Sequence, residues 1–275
     1  MALIQVNYLS RALFRTVPLN VILPADKINY MTGEYLDSNG QKFKTLYLLH
    51  GLLGNYTDWV TGTRIQRWAE ERNLAVIMPS GDNSFYFNGR MPMDDYETFI
   101  GKELPEVTRR MFPLSDKRED TFIAGLSMGG YGAFRNGIVY SDTFSHVGEF
   151  SGAMHLFEAK EADKGVGEFD KKLFDDPEAA AKTNLNPEVA FEEMLKEGRP
   201  VPKFYMSCGT LDPLYQSNVS MRDFVKSKGA DVTWDEEERA HDWDFWDSQV
   251  FKFLNWLPLG DVNSGLSSGN VKVGD

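Results

Sequence analysis

Five residues, Gly125-Leu126-Ser127-Met128-Gly129, restrict the folds open to this chain more than any other stretch. They match G-x-S-x-G and sit between a short apolar run at residues 121–124 and a helical pattern at 128–140. A reversal this sharp from strand to helix holds its central residue in a strained backbone conformation. The flanking glycines leave room for a strand and a helix to pass close by, and Ser127 Oγ points into the space above the strand end. A glycine-rich turn that only packs a helix close to a sheet is the plainer alternative, and the strand–turn–helix context argues against it.

The rest of the pattern supplies the sheet. Residues 45–49, 74–78 and 147–150 are short continuous apolar runs, as expected of strands buried on both faces. Residues 3–9 and 13–23 read as further strands, with Pro24 ending the second, and strand periodicity returns at 203–207 and 232–236. Helical patterns fall between them at 64–72, 95–112, 220–228 and 244–256; Pro105 should kink the second of these. This alternation predicts an α/β chain with a mostly parallel central sheet and helices on both faces, whose ligands bind beyond the carboxyl ends of the strands. Residues 1–258 read as a single domain. A Lys-, Glu-, Asp- and Ala-rich insertion at about 155–202, punctuated by Pro177, Pro187 and Pro200, is expected to lie outside the sheet as a small cap. Residues 259–275, rich in Gly, Ser and Asn, read as a flexible C-terminal tail.

Composition removes several function classes. The formal net charge of −12 opposes nucleic-acid binding. No run approaches the ~18 apolar residues that would span a bilayer, so no membrane partner is expected. The single cysteine, Cys208, rules out an internal disulfide framework and a multi-cysteine metal site, and a small buried hydrophobe is its expected role. Residues 1–15 lack a basic and then apolar leader and already alternate like a strand. A cytoplasmic protein with no metal and no cofactor is expected; a homo-oligomer stays open.

Candidate chemistry gathers in the loops that follow strands. Acyl transfer through Ser127 needs donors for the negative oxygen of a tetrahedral intermediate, each worth ~10²–10³-fold in rate. His50-Gly51-Leu52-Leu53-Gly54 follows the strand 45–49. Gly51 lets the chain turn so that the Leu52 N–H faces the site, paired with the N–H of Met128 after the serine. His50 is expected to orient this loop rather than carry protons. The chain order serine, acid, histidine leaves His241 as the base among four histidines. His146 opens a buried strand and reads as a packed residue, whereas His155 follows a strand end and is able to line the pocket. Asp212 is the expected acid, although Asp212-Pro213 is also ordinary turn chemistry. The acidic run 235–238 reads as a solvated edge, with the acid as its lesser alternative. Trp59, Tyr86, Phe87 and Trp243 lie in loops that should border the site and suit a flat or apolar acyl group, or else pack those loops. Arg90 either meets an anionic substrate or is simply solvated.

Taken together, residues 47–55 (YLLHGLLGN), 121–132 (TFIAGLSMGGYG), 144–152 (FSHVGEFSG) and His241-Asp242-Trp243 with Trp246 resemble the esterase D-like family of α/β-hydrolases. The likeness runs from about Tyr8 to Leu257 and is strongest to the bacterial tributyrin esterase and acetylesterase group. The resemblance implies the α/β-hydrolase fold and a serine carboxylesterase that hydrolyses short-chain esters, acetyl to butyryl, through an acyl-enzyme without a cofactor. Its catalytic positions fall on Ser127, Asp212 and His241, and its oxyanion positions on Leu52 and Met128. Related members include feruloyl esterases, carbohydrate acetylesterases, acyltransferases and S-formylglutathione hydrolases. The cysteine that the last of these carry beside the oxyanion loop is missing here, and residues 158–199 show the least likeness. A protein that keeps the fold and only binds is the reading from a different class.

Overall fold

The apolar runs become strands because both of their faces are covered. The computed structural model describes residues 2–29, 31–35, 40, 42–89, 93–157, 173–174 and 176–260. Its strands are β1 (Ala2–Ser10), β2 (Arg15–Leu23), β3 (Lys44–Leu49), β4 (Leu74–Pro79), β5 (Thr121–Leu126), β6 (His146–Phe150), β7 (Lys203–Gly209) and β8 (Val232–Glu237). They form one eight-stranded sheet in the order β1-β2-β4-β3-β5-β6-β7-β8. β1 pairs antiparallel with β2 and β2 with β4, and every later pairing is parallel. Along β3, Tyr47 and Leu49 enter one hydrophobic cluster while Leu46 and Leu48 enter the other. That division explains why the run is apolar throughout rather than alternating.

Helices α1 (Asp58–Gly62), α2 (Ile65–Glu71) and α9 (Trp243–Trp256) cover one face with Trp59, Ile65, Trp68 and Phe253. On the other lie α4 (Leu104–Met111), α5 (Met128–Val139), α7 (Pro187–Lys196) and α8 (Tyr215–Ser227), which contribute Leu104, Phe134, Phe191 and Val225. The helical stretch expected over 95–112 is present without a sharp break at Pro105. A short α3 (Tyr96–Thr98) runs into a π-helical turn, Phe99–Glu103, and then α4. Proline cannot donate the i→i−4 bond, and the wider turn ahead of it absorbs the missing donor. It also directs the buried Glu103 carboxylate at the N–H groups of Arg11 and Ala12, tying the β1–β2 hairpin to the helix layer.

The segment expected as an outlying cap is in part core. Ala190, Phe191 and Met194 of α7 are buried, with the Phe191 ring against Phe204 and Phe224. The Glu and Lys content that suggested an exposed insertion occupies the opposite face of this amphipathic helix. Between β6 and α7 stand a 3₁₀ turn, Met154–Phe157, and the short α6 (Pro177–Ala180); residues 158–172 and 175 lie outside the described residues. So do residues 261–275 of the expected tail. Among the described residues no helix is long and apolar enough to cross a membrane.

A tight backbone approach runs through the pentapeptide. A Cβ at Gly129 would stand 2.5 Å from the carbonyl oxygens of both Leu49 and His50, and one at Gly125 would stand 2.2 Å from that of Gly129. These neighbours are backbone and cannot rotate away. Gly129→Ala is therefore expected to cost about 1–3 kcal/mol, as overpacking does. Urea unfolding would show it as a lower midpoint at unchanged slope; a wild-type midpoint would contradict the close approach.

Candidate active site

Ser127 joins β5 to α5 with φ 53° and ψ −118°, a conformation that costs of order 1–3 kcal/mol and needs support from its surroundings. Support comes from the turn after β6. The Ser127 N–H donates to Phe150 O at 2.9 Å, and Ser127 O accepts the N–H of Ala153 at 3.1 Å and that of Tyr131 at 3.1 Å. With both backbone groups held, the partly buried side chain projects above the sheet's carboxyl edge.

His241 lies between β8 and α9, and Asp212 follows β7. The two loops are laced together: the Thr210 N–H donates to Glu237 O at 2.8 Å and the Leu211 N–H to Arg239 O at 3.0 Å. Gly209 makes this crossing possible, because a Cβ there would meet Arg239 O at 2.1 Å. His241 Nε2 stands 3.0 Å from Ser127 Oγ, and Nδ1 stands 2.7 Å from Asp212 Oδ2. Burial opposes charge on Asp212, but the hydrogen bond from His241, its charge and the Leu214 N–H together hold the carboxyl below its usual range. An ionised carboxylate only accepts, so Nδ1 carries the proton and Nε2 accepts the Ser127 hydroxyl. Asp212 Oδ1 takes the Leu214 N–H at 2.8 Å, so one oxygen of the carboxylate serves the turn and the other meets His241. The ring of Trp246 stands perpendicular to His241, with centroids 4.9 Å apart, and limits how the imidazole can swing.

The loop after β3 lies against Ser127. A Cβ at Gly51 would come 2.6 Å from the end of the Leu126 side chain and into ordinary contact, 3.5 Å, with Ser127 Cβ. Met128 opens α5, so its N–H has no acceptor within the helix. The Leu52 N–H donates to no acceptor among the described residues. His50 is a pin rather than a proton carrier: Nδ1–H donates to Gly51 O at 2.7 Å, and Nε2 accepts the Gly81 N–H at 2.8 Å. Burial pushes its pKa down, which suits that neutral form. Two further bonds fix this loop to the one after β4, from Tyr86 OH to His50 O at 2.9 Å and from the Leu53 N–H to Asn83 Oδ1 at 2.8 Å. Asn83 escapes sequence reasoning altogether, being an exposed polar residue in a loop with no motif around it.

The four aromatic candidates separate. Trp59 and Tyr86 offer no surface to a ligand: both are fully buried. Trp59 Nε1–H donates to Leu49 O at 2.9 Å, and the Tyr86 ring lies on Gly81 and Gly132. Loop position suggested a rim, whereas their polar tips are satisfied inward and make them posts for the β3 and β4 loops. Phe87 is buried too, stacked on Phe174. Trp243 alone keeps exposure, wedged edge-to-face between Trp59 and Trp246 in the wall that ends at His241. Arg90 lies outside the described residues. His146 packs between the rings of Phe122 and Trp256, its pKa lowered to about 4 by burial, and Cys208 is buried with its thiol pKa raised by that burial. The acidic run at 235–238 is used locally, Asp235 and Glu237 both pairing with Lys252.

A strained serine at a strand–helix elbow on an eight-stranded, mostly parallel sheet defines an esterase of the α/β-hydrolase class. The family model described as "Putative esterase" matches residues 10–257, and the chain belongs to that family. It is a carboxylic-ester hydrolase. An acetyl esterase of Caldicellulosiruptor saccharolyticus is 37% identical over 263 residues, covering 94% of this chain and 98% of the relative. Among solved structures, the fluorophosphonate-binding serine hydrolase F of Staphylococcus aureus superposes with a TM-score of 0.79 at 30% identity, covering 94% of this chain and 99% of its own. An S-formylglutathione hydrolase from Staphylococcus aureus gives 0.78 at 29%, covering 93% and 98%.

The Asn83 tether generates a prediction. Asn83→Ala frees the Leu53 amide and with it the adjacent Leu52 N–H. Its expected effect is a kcat about tenfold lower, short of the ~10²–10³-fold of a lost direct donor. KM and the unfolding midpoint should hardly move, and Asn83→Asp, which keeps an acceptor, should restore most of the loss. Steady-state kinetics on a p-nitrophenyl ester checks it; an unchanged kcat in the alanine variant would show that the tether is idle.

Proposed function

We propose that this esterase hydrolyses short-chain acyl esters, acetyl to butyryl, through an acyl-enzyme formed on Ser127. One observation carries the reading: Ser127 Oγ, His241 and Asp212 form an unbroken hydrogen-bonded chain of 3.0 and 2.7 Å. His241 Nε2 takes the hydroxyl proton as Oγ attacks the ester carbon, and Asp212 stabilises the imidazolium that results. The negative oxygen is received by the N–H groups of Leu52 and Met128. Collapse of the intermediate expels the alcohol, which takes the proton back from Nε2. Water then attacks the acyl carbon as His241 Nε2 takes its proton, and collapse of this second intermediate releases the acid as Nε2 returns that proton to Ser127 Oγ.

The acetyl esterase likeness supports a small acyl group, and Trp243, the one of the expected four aromatics that is not buried, suits an apolar one. The net charge of −12 supports a small-molecule partner rather than nucleic acid, and the single cysteine suits the cytoplasm. S-formylglutathione is the second reading, favoured by the structural likeness at 29% identity. Turnover of p-nitrophenyl acetate, tributyrin and S-formylglutathione, compared as kcat/KM, separates the two; a clear preference for the thioester would replace the first reading by the second.

Ser127→Ala is expected to abolish both ester turnover and labelling by a fluorophosphonate probe. Asp212→Asn should keep the fold and lower kcat by about 10⁴-fold, because the amide favours the wrong imidazole tautomer. Retained turnover in the serine variant would end the proposal.

A further inference from the structure

Glu149 stands on β6 beside this site and takes no part in the hydrogen-bonded chain. Its side chain is wholly buried. Oε1 accepts the N–H of Gly152, and Oε2 has no hydrogen-bond partner. Among the described residues no cation pairs with it. The titratable groups that act with it are Asp212, in the loop after β7, and the Cys208 thiol on β7.

A buried carboxyl group with an unused oxygen is costly, so what it holds matters. It holds the turn at residues 150–153. Ser151 sits there at φ 50° with its N–H on Ser207 O, and Asn218 Nδ2 donates to Gly152 O at 2.9 Å. Gly152 fits tightly, since a Cβ on it would meet Glu149 Oε1 at 2.5 Å. The same turn grips Ser127, through Phe150 O on one side and the Ala153 N–H on the other. We propose that Glu149 is a positioning residue for Ser127, acting through the 150–153 turn that its buried carboxyl group keeps in shape beside the Asp212–His241 pair. The inference rests on the esterase reading above, with Ser127 as nucleophile.

The proton on Glu149 is part of the device. Burial raises its pKa to about 8, against the Gly152 N–H, with the Asp212 charge adding to the rise. At neutral pH the group is a neutral acid. Ionisation sets a second negative charge near Asp212 in a low-dielectric space, relieved only if the turn opens toward water. The folded value lies above the unfolded one, so the fold keeps this proton when the unfolded chain has released it. The contribution to stability is complete below the ordinary carboxyl range and is lost as pH rises to about 8.

The test compares wild type, Glu149→Gln, Glu149→Ala and Ser127→Ala by p-nitrophenyl acetate kinetics from pH 6 to 9.5 and by urea unfolding at pH 5, 7 and 9. Glu149→Ala should lower kcat at pH 7 about tenfold or more with KM nearly unchanged, as misplacement of a reacting group does. Glu149→Gln, which keeps an acceptor for the Gly152 N–H, should restore most of that loss. It should also remove the fall in kcat near pH 8 and the decline in stability between pH 5 and 9 that wild type shows. A glutamine variant whose two pH profiles superimpose on wild type overturns the inference, as does an alanine variant with wild-type kcat. Should the alanine variant fail to fold, the glutamine profiles decide alone. Ser127→Ala keeps the two levels apart: activity surviving in it refutes the esterase reading, whereas its loss beside unaffected Glu149 variants refutes only the role of Glu149.

Discussion

Ser127 occupies a backbone conformation that its own side chain disfavours, and much of the surrounding structure exists to keep it there. The strain is local, but its support is spread over β3, α5 and the turn after β6. Glycines 51, 125 and 129 let these elements close to distances at which any Cβ would strike its neighbours. Both backbone groups of Ser127 are then hydrogen-bonded, so relaxing the serine would break two contacts with a neighbouring strand's turn. Strain held this way is preorganisation: the hydroxyl is delivered to one place without a later cost in ordering.

A second constraint is electrostatic. Two buried carboxyl groups, Asp212 and Glu149, lie near each other at the sheet's carboxyl edge, and their environments push them apart. His241 and a backbone amide favour the charge on Asp212, while Glu149 has one amide, complete burial and, among the described residues, no cation. Two like charges in one low-dielectric space are costly, so a single ionised carboxylate with a single imidazole is the arrangement the site sustains at neutral pH.

What was legible in the sequence follows from what is local in the chain. G-x-S-x-G, the glycine-bearing loop after β3 and the order of serine, acid and histidine are short patterns with a fixed place relative to strands, and the structure brings Ser127, Asp212 and His241 within hydrogen-bonding reach. The sheet was legible because burial on both faces writes an unbroken apolar run. The pocket aromatics were not, because loop position says nothing about which way a ring turns; Trp59 and Tyr86 turned inward once Leu49 O and His50 O were there to receive their polar tips. Helix α7 was misplaced for a related reason, since composition averages over its two faces. Asn83 belongs to no motif, and Glu149, although it falls within the 144–152 stretch, is not marked in the sequence as a residue whose side chain meets a backbone amide.

The contrast between His50 and His241 shows how little of a residue's function lies in its type. Both imidazoles stand in loops at the same edge of the sheet. His50 has each nitrogen committed to a backbone group of a fixed loop, one donating and one accepting, and is fully buried. A proton gained on Nε2 would face the Gly81 N–H, donor against donor, so burial and partner chemistry both keep it neutral. His241 has only Nδ1 committed, and to a carboxylate that welcomes a positive ring. Its Nε2 meets a hydroxyl, which can give up its proton and turn away, and the ring keeps some exposure. One histidine therefore locks two loops together while the other turns one nitrogen to a carboxylate and the other to the serine hydroxyl, and the difference lies wholly in which atoms the fold sets against the two nitrogens.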